Sequence, residues 1–170
     1  MDTFTRFLND KDAPSLCDLY RTIANHPRGF ARAPEEISLE YVEKMLEPVI
    51  GSGIGICAFD RAANRMVGFI VARKPGPKAF DHVLTDLTIG VDPSYQSKGI
   101  GRRLFFDFLE HVQGARPDVL RVELIVRETN NRAISFYESI GFKREGYLDK
   151  RIIAPDGTFE GDIPMGWLRG

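Results

Sequence analysis

The chain has 170 residues, 43% of them hydrophobic and 28% charged, with a formal net charge of −1. That is the composition of a globular chain with one buried core, a single domain over residues 1–170, and it excludes a disordered one. Near-neutral charge argues against nucleic-acid or anionic-membrane partners, which need a basic excess.

The first periodic segment predicts a helix from about Ala13 to Asn25, with Leu16, Leu19, Tyr20 and Ile23 on one face. Asp12 and Pro14 suit its start, and His26-Pro27-Arg28-Gly29-Phe30 breaks it. A second helix is expected from Ser38, its cap, to about Val49, stopped by Gly51-Ser52-Gly53. Ile54–Phe59 and Met66–Arg73 read as a hairpin around the turn Asp60–Arg65. Pro75-Gly76-Pro77 is a loop. Val83–Val91 alternates as a strand, placing Val83, Thr85, Leu87, Ile89 and Val91 on one face.

A helix follows with the apolar stripe Ile100, Leu104, Phe105, Phe108, Leu109 and Val112. Val119–Val126 is a strand and Asn130–Ile140 a helix stopped by Gly141. Phe142–Ile153 and Phe159–Leu168 form a final antiparallel pair around Pro155-Asp156-Gly157-Thr158. The helix between the strands ending at Val91 and Val126 requires a crossover, so those two strands are parallel neighbours. The fold class is therefore α/β, a mixed sheet with helices on both faces.

The two cysteines, Cys17 and Cys57, lie far apart in apolar segments and read as reduced core thiols. No His, Cys and carboxylate cluster has metal-ligand spacing, so no metal is expected. No apolar run is long enough for a bilayer, and the first residues lack a signal-peptide pattern, which together point to the cytoplasm.

Chemistry concentrates in Val91-Asp92-Pro93-Ser94-Tyr95-Gln96-Ser97-Lys98-Gly99-Ile100-Gly101-Arg102-Arg103-Leu104. A strand end, a turn and a glycine-spaced loop feed a helix, and bare N–H groups at a helix N-terminus cradle anions. Glycines let the backbone approach a phosphate closely. The P-loop spacing is absent, and a dinucleotide fingerprint would need glycine where Leu104 stands. A second block, Asn130-Asn131-Arg132-Ala133-Ile134-Ser135-Phe136-Tyr137, is followed by Gly141-Phe142.

The run Gln-x-x-Gly-x-Gly and the downstream Asn-x-x-Ala-x-x-aromatic-Tyr…Gly-Phe resemble the two signatures of the GCN5-related N-acetyltransferase (GNAT) superfamily. The resemblance implies a central mixed sheet with two splayed parallel strands and acetyl-CoA as co-substrate. It implies that Gln96, Ser97, Lys98, Gly99, Ile100, Gly101 and Arg102 wrap the pyrophosphate. The main chain of Leu87, Ile89, Gly90 and Val91 would pair with the pantetheine arm, an N–H near Ile89 polarising the thioester carbonyl. Asn130, Ala133, Phe136 and Tyr137 would contact the cofactor from the last helix.

The implied reaction is direct attack of a primary amine on acetyl-CoA in a ternary complex. No cysteine lies in either motif to form an acetyl-enzyme. The resemblance makes Tyr137 the general acid for the leaving thiolate, while its helical stripe reads equally as core. Asn130 is both a helix cap and a cofactor contact. Asp86 and Glu123 are candidate bases, or plain partners of Arg121 and Arg127. Family analogy walls the acceptor site with the first two helices and their connection and sets the last strands opposite, which points to 27–36 and 147–167, with Arg28 and Arg32 available to an acceptor carboxylate. Small amines, such as amino acids and polyamines, are the expected acceptors. Protein N-termini or lysines, or a non-catalytic acetyl-CoA-binding module, are the alternatives. The resemblance also implies a homodimer, for which the aromatic C-terminal strands are the expected interface.

Overall fold

The computed structural model describes residues 2–26, 29–154 and 156–170. The described residues form four α-helices and an eight-stranded sheet. Strand β1 (Thr3–Phe7) precedes helices α1 (Ala13–Ala24) and α2 (Leu39–Gly51). Then come β2 (Ile54–Asp60), β3 (Arg65–Arg73), β4 (Val83–Val91), helix α3 (Ile100–Ala115), β5 (Arg121–Arg127) and helix α4 (Asn131–Ser139). Strands β6 (Lys143–Arg144), β7 (Leu148–Ile153) and β8 (Phe159–Leu168) complete the chain. The sheet runs β1-β2-β3-β4-β5-β8-β6, with β7 beside β8. β4 and β5 pair in parallel and the remaining neighbours antiparallel.

Two apolar layers sandwich this sheet. Leu16, Leu19, Tyr20 and Ile23 of α1 meet Val42, Leu46 and Val49 of α2 over Cys57, Phe69 and Val71. On the other face Leu104, Phe105, Phe108 and Val112 of α3 meet Ile134 and Tyr137 of α4 over Ile70, Val122 and Leu124. Ser38 caps α2 by accepting from Tyr41 N–H at 3.0 Å, and Asn130 caps α4 by accepting from Ala133 N–H at 3.2 Å.

Three sequence expectations change, the first being that the strand expected over Phe142–Ile153 divides into β6 and β7, each paired with β8. β1 was not foreseen; Thr3–Phe7 is a half-buried edge strand held mainly by backbone pairing with β2, so its apolar signal is weak. In β4 the regular alternation fails. Val71 faces Thr88, but Arg73 faces Thr85, so one extra residue sits on β4. Asp86 takes the kink at φ +53°. Leu84 thereby joins Leu87, Ile89 and Val91 on the α3 face, which removes Val83 and Thr85 from it.

The bulge also opens the sheet. β4 and β5 pair only at Val83–Arg121 and Leu84–Val122. Beyond that point a bulge bends and twists its strand, and the two diverge.

Candidate active site

Divergence leaves one edge of β4 without a partner strand. Asp92 N–H donates to Val67 O of β3 at 2.9 Å. Peptide direction alternates along a strand, so Gly90 and Thr88 also face β3, and Ile89 and Val91 direct their N–H and C=O to the open edge. Gly90 is required on the far side. A Cβ there would lie 2.7 Å from Ile23 Cδ1, 2.8 Å from Phe69 Cε1 and 2.9 Å from Phe30 Cζ.

After β4 the chain turns through Ser97 at φ +60° and Gly99 at φ +82° into α3. Arg103 N–H makes the first helical bond, to Gly99 O at 3.0 Å. The N–H groups of Ile100, Gly101 and Arg102 therefore lie ahead of the ladder, and no side chain caps them. Such a terminus attracts anions.

These groups bound a cleft of about 640 Å3. Ile89, Gly90, Val91, Gln96, Ser97, Gly99, Ile100, Gly101 and Arg102 line it from β4, the loop and α3; Asn130, Ala133, Phe136 and Tyr137 line it from the α4 side. Leu87 and Lys98 stand apart from these expected neighbours. Leu87 borders a second cavity. Lys98 Nζ donates to Ser94 O at 2.9 Å and lies 4.8 Å from the Tyr95 ring centre. Sequence reading missed Tyr95, Phe105 and Arg132, which also line the cleft. Phe105 was assigned to the core stripe alone, whereas Tyr95 and Arg132 lie inside or beside the motifs and could have been found there.

Tyr137 is 8% exposed and packs among Phe105, Phe136 and Phe142, with ring centres 5.3–5.9 Å apart. Burial pushes its phenol up to about 12, so it stays protonated at neutral pH. The core and cleft readings of this residue hold together, since one ring serves both.

The second cavity, about 820 Å3, lies on the α1/α2 side. Tyr20, Tyr41, Lys44 and Met45 form its helical wall, Thr85–Thr88 its floor, and Arg121, Glu123, Glu145, Pro164 and Met165 the opposite side. It adjoins the cleft along β4, where consecutive residues Thr88 and Ile89 belong to one space each. Asp86 and Glu123 are both here. Asp86 pairs with Arg73 at 2.5 Å. Glu123 accepts from Arg121 Nε at 2.6 Å and from Thr85 Oγ1 at 3.1 Å. Arg121 also grips Glu145 with both terminal nitrogens, which holds that carboxyl below its ordinary range.

The expected acceptor segments contribute unevenly. Among the described residues of 27–36 none lines the cavity, and helix α2 takes that place. Arg28 lies outside the described residues. The Arg32 guanidinium rests 4.2 Å from the Tyr41 ring centre and outside the lining. Of 147–167, Pro164 and Met165 reach it. Among the described residues no group of three or more His, Cys, Asp or Glu could hold a metal ion, and no helix is long and apolar enough to cross a membrane.

Comparison with known proteins bears on the family and the fold. The N-alpha-acetyltransferase RimI of Mycobacterium tuberculosis is 38% identical over 87 residues, 51% of this chain and 51% of that protein. The mycothiol acetyltransferase of Thermomonospora curvata is 32% identical over 125 residues, 73% of this chain and 38% of that protein. The chain thus spans about half or less of the length of these curated relatives. A GNAT superfamily phosphinothricin acetyltransferase from Sinorhizobium meliloti, solved in complex with acetyl-CoA, shares the fold with a TM-score of 0.83 at 17% identity. That likeness covers 100% of this chain and 90% of the other. The family model described as Acetyltransferase (GNAT) family matches residues 15–142, and the chain belongs to that family.

Proposed function

We propose that the chain is an acetyl-CoA-dependent N-acetyltransferase acting on a primary amine as a single domain. The observation that carries this reading is the joining of two anion- and carbonyl-binding devices in one cleft. The free N–H groups at the start of α3 suit a pyrophosphate. The open edge of β4 at Ile89 and Val91 suits an extended amide arm, as an added strand would pair.

In this reading the acceptor enters by the larger cavity. Its nitrogen attacks the thioester carbonyl carbon, the C–S bond breaks, and the thiolate takes the Tyr137 proton. The Ile89 N–H polarises the carbonyl. The proton lost by the amine passes to Glu123 or Asp86, directly or through water. Direct attack needs both substrates bound together, and the two adjoining spaces supply that arrangement.

The acceptor is a small amine. The cavity is lined by three carboxylates, Asp86, Glu123 and Glu145, and three cations, Arg73, Arg121 and Lys44, so the walls present balanced charge to an uncharged or zwitterionic molecule. A peptide N-terminus is the second reading, favoured by the similarity to the N-alpha-acetyltransferase. The test is acetyl-CoA turnover by the pure protein against amino acids, polyamines and N-terminal peptides, with products identified by mass. Transfer to small amines supports the first reading and transfer to peptides alone the second. Acetyl-CoA binding without transfer to any amine would reduce the protein to a binding module.

A further inference from the structure

The loop that follows β4 is tied to a distant turn of the sheet. Tyr95 Oη donates to Asp60 Oδ2 at 2.8 Å, across 35 positions of sequence. Asp60 is 7% exposed and its other oxygen accepts from Ala62 N–H at 2.9 Å and Ala63 N–H at 3.2 Å. The carboxylate is thereby fixed by the β2–β3 turn before Tyr95 reaches it. Two cations lie over the Tyr95 ring, with Arg65 Cζ 5.1 Å and Lys98 Nζ 4.8 Å from its centre. Arg65 in turn bonds Asp92 Oδ2 at 2.7 Å, and Asp92 Oδ1 takes Ser94 N–H at 2.8 Å. The same Tyr95 lines the cleft directly before Gln96 and Ser97.

The geometry points to Tyr95 as a positioning residue for the cofactor's pyrophosphate, with Asp60 its anchor on the β2–β3 turn. This rests on the cofactor reading above. Ser97 holds left-handed backbone on an exposed loop, a conformation that L side chains adopt unwillingly, and Gly99 beside it adopts the same region without steric cost. Two side-chain hydrogen bonds join this loop to the β2–β3 turn, Arg65 to Asp92 at its start and Tyr95 to Asp60 directly before Gln96 and Ser97, so Tyr95 is the tether nearer the left-handed stretch. It fixes where the N–H groups point before a ligand arrives, and a preorganised anion site loses less freedom on binding. The motif cation Lys98 serves the same end from the ring's side, which explains its position outside the cleft.

The test compares binding of coenzyme A with pantetheine, which lacks the pyrophosphate, by calorimetry. The wild type is expected to prefer coenzyme A. Tyr95→Phe keeps the ring and removes the hydroxyl; the preference should fall roughly tenfold, the scale of one hydrogen bond to a charge. Pantetheine affinity should stay where it was, which a general loss of structure would not leave unchanged. Asp60→Asn should lower the preference similarly, and the double variant no further, because both remove one interaction. An unchanged preference in Tyr95→Phe, or additive losses, would overturn the proposal. A wild type with no preference for coenzyme A would instead overturn the cofactor reading on which it rests.

Discussion

The Glu145 carboxylate lies flat against Gly166: a Cβ on Gly166 would come within 2.6 Å of Glu145 Oε1. The bare backbone of β8 is therefore what lets Glu145 reach Arg121 on the strand beyond. Gly166→Ala should push the carboxylate away and leave Arg121 with Glu123 alone. The ion pair is partly exposed, so stability should fall by about 1 kcal/mol or less. The KM for the acceptor should rise several-fold while that for acetyl-CoA holds, since Glu145 borders the larger cavity and not the cleft. Equal changes in both KM values would refute this assignment of the two spaces.

Tyr137→Phe keeps the aromatic cluster and removes one hydroxyl. Turnover should fall on the order of 100-fold, the usual scale of general-acid assistance, with acetyl-CoA affinity little changed. The phenol is raised to about 12, so it remains a proton donor throughout the neutral and mildly alkaline range. A descending limb in the wild-type pH–rate profile below about pH 10 would have to come from another group. Turnover equal to wild type would remove Tyr137 from the chemistry.

Acid should unfold the protein through its paired carboxylates. Asp12 is lowered chiefly by its bond from Arg6, Asp118 by Arg116, and Glu145 by Arg121. A depressed folded pKa stabilises above the unfolded value, and that stabilisation is lost as pH falls through the folded one. Melting temperature should hold above about pH 5 and drop increasingly below about pH 4. Asp118→Asn should melt lower at neutral pH and show a shallower acid fall. A melting curve flat down to about pH 2 would contradict the pairing.

Arg169 closes the far end of α3. Its guanidinium donates from Nε to Val119 O at 2.9 Å, from Nη1 to Gln113 O at 3.1 Å, and from Nη2 to Arg116 O at 2.8 Å and to Val112 O. Val112 O and Arg116 O also accept from Arg116 N–H at 3.3 Å and Val119 N–H at 3.0 Å, while Gln113 lies in the last turn of α3, where carbonyls run out of helical partners. Arg169→Ala should cost about 2 kcal/mol, or about 4 to 8 °C in melting temperature. Lysine should recover only part of this, because an ammonium lacks the planar fork. An unchanged melting temperature in the alanine variant would show that water replaces these bonds.

Local chemistry in the sequence was enough to place most elements and both motifs. Apolar periodicity located α1 to α4, Ser38 and Asn130 marked their own caps, and the crossover between Val91 and Val126 required parallel β4 and β5. Glycine spacing located the loop that enters α3 and lines the cleft. These signals are short-range, arising from backbone conformation and side-chain period over a few residues. Three features belong to tertiary structure. The bulge at Asp86 depends on how β4 meets β3, so strict alternation misassigned Val83 and Thr85. The wall of the larger cavity depends on how α1 and α2 lie over the sheet, so the periodicity of each helix did not show which of its residues border that space. The bond from Tyr95 to Asp60 joins residues whose separation in sequence carries no periodic trace. Contacts of that kind are decided by packing across the sheet, where shape and charge complementarity act between segments that say nothing about each other locally.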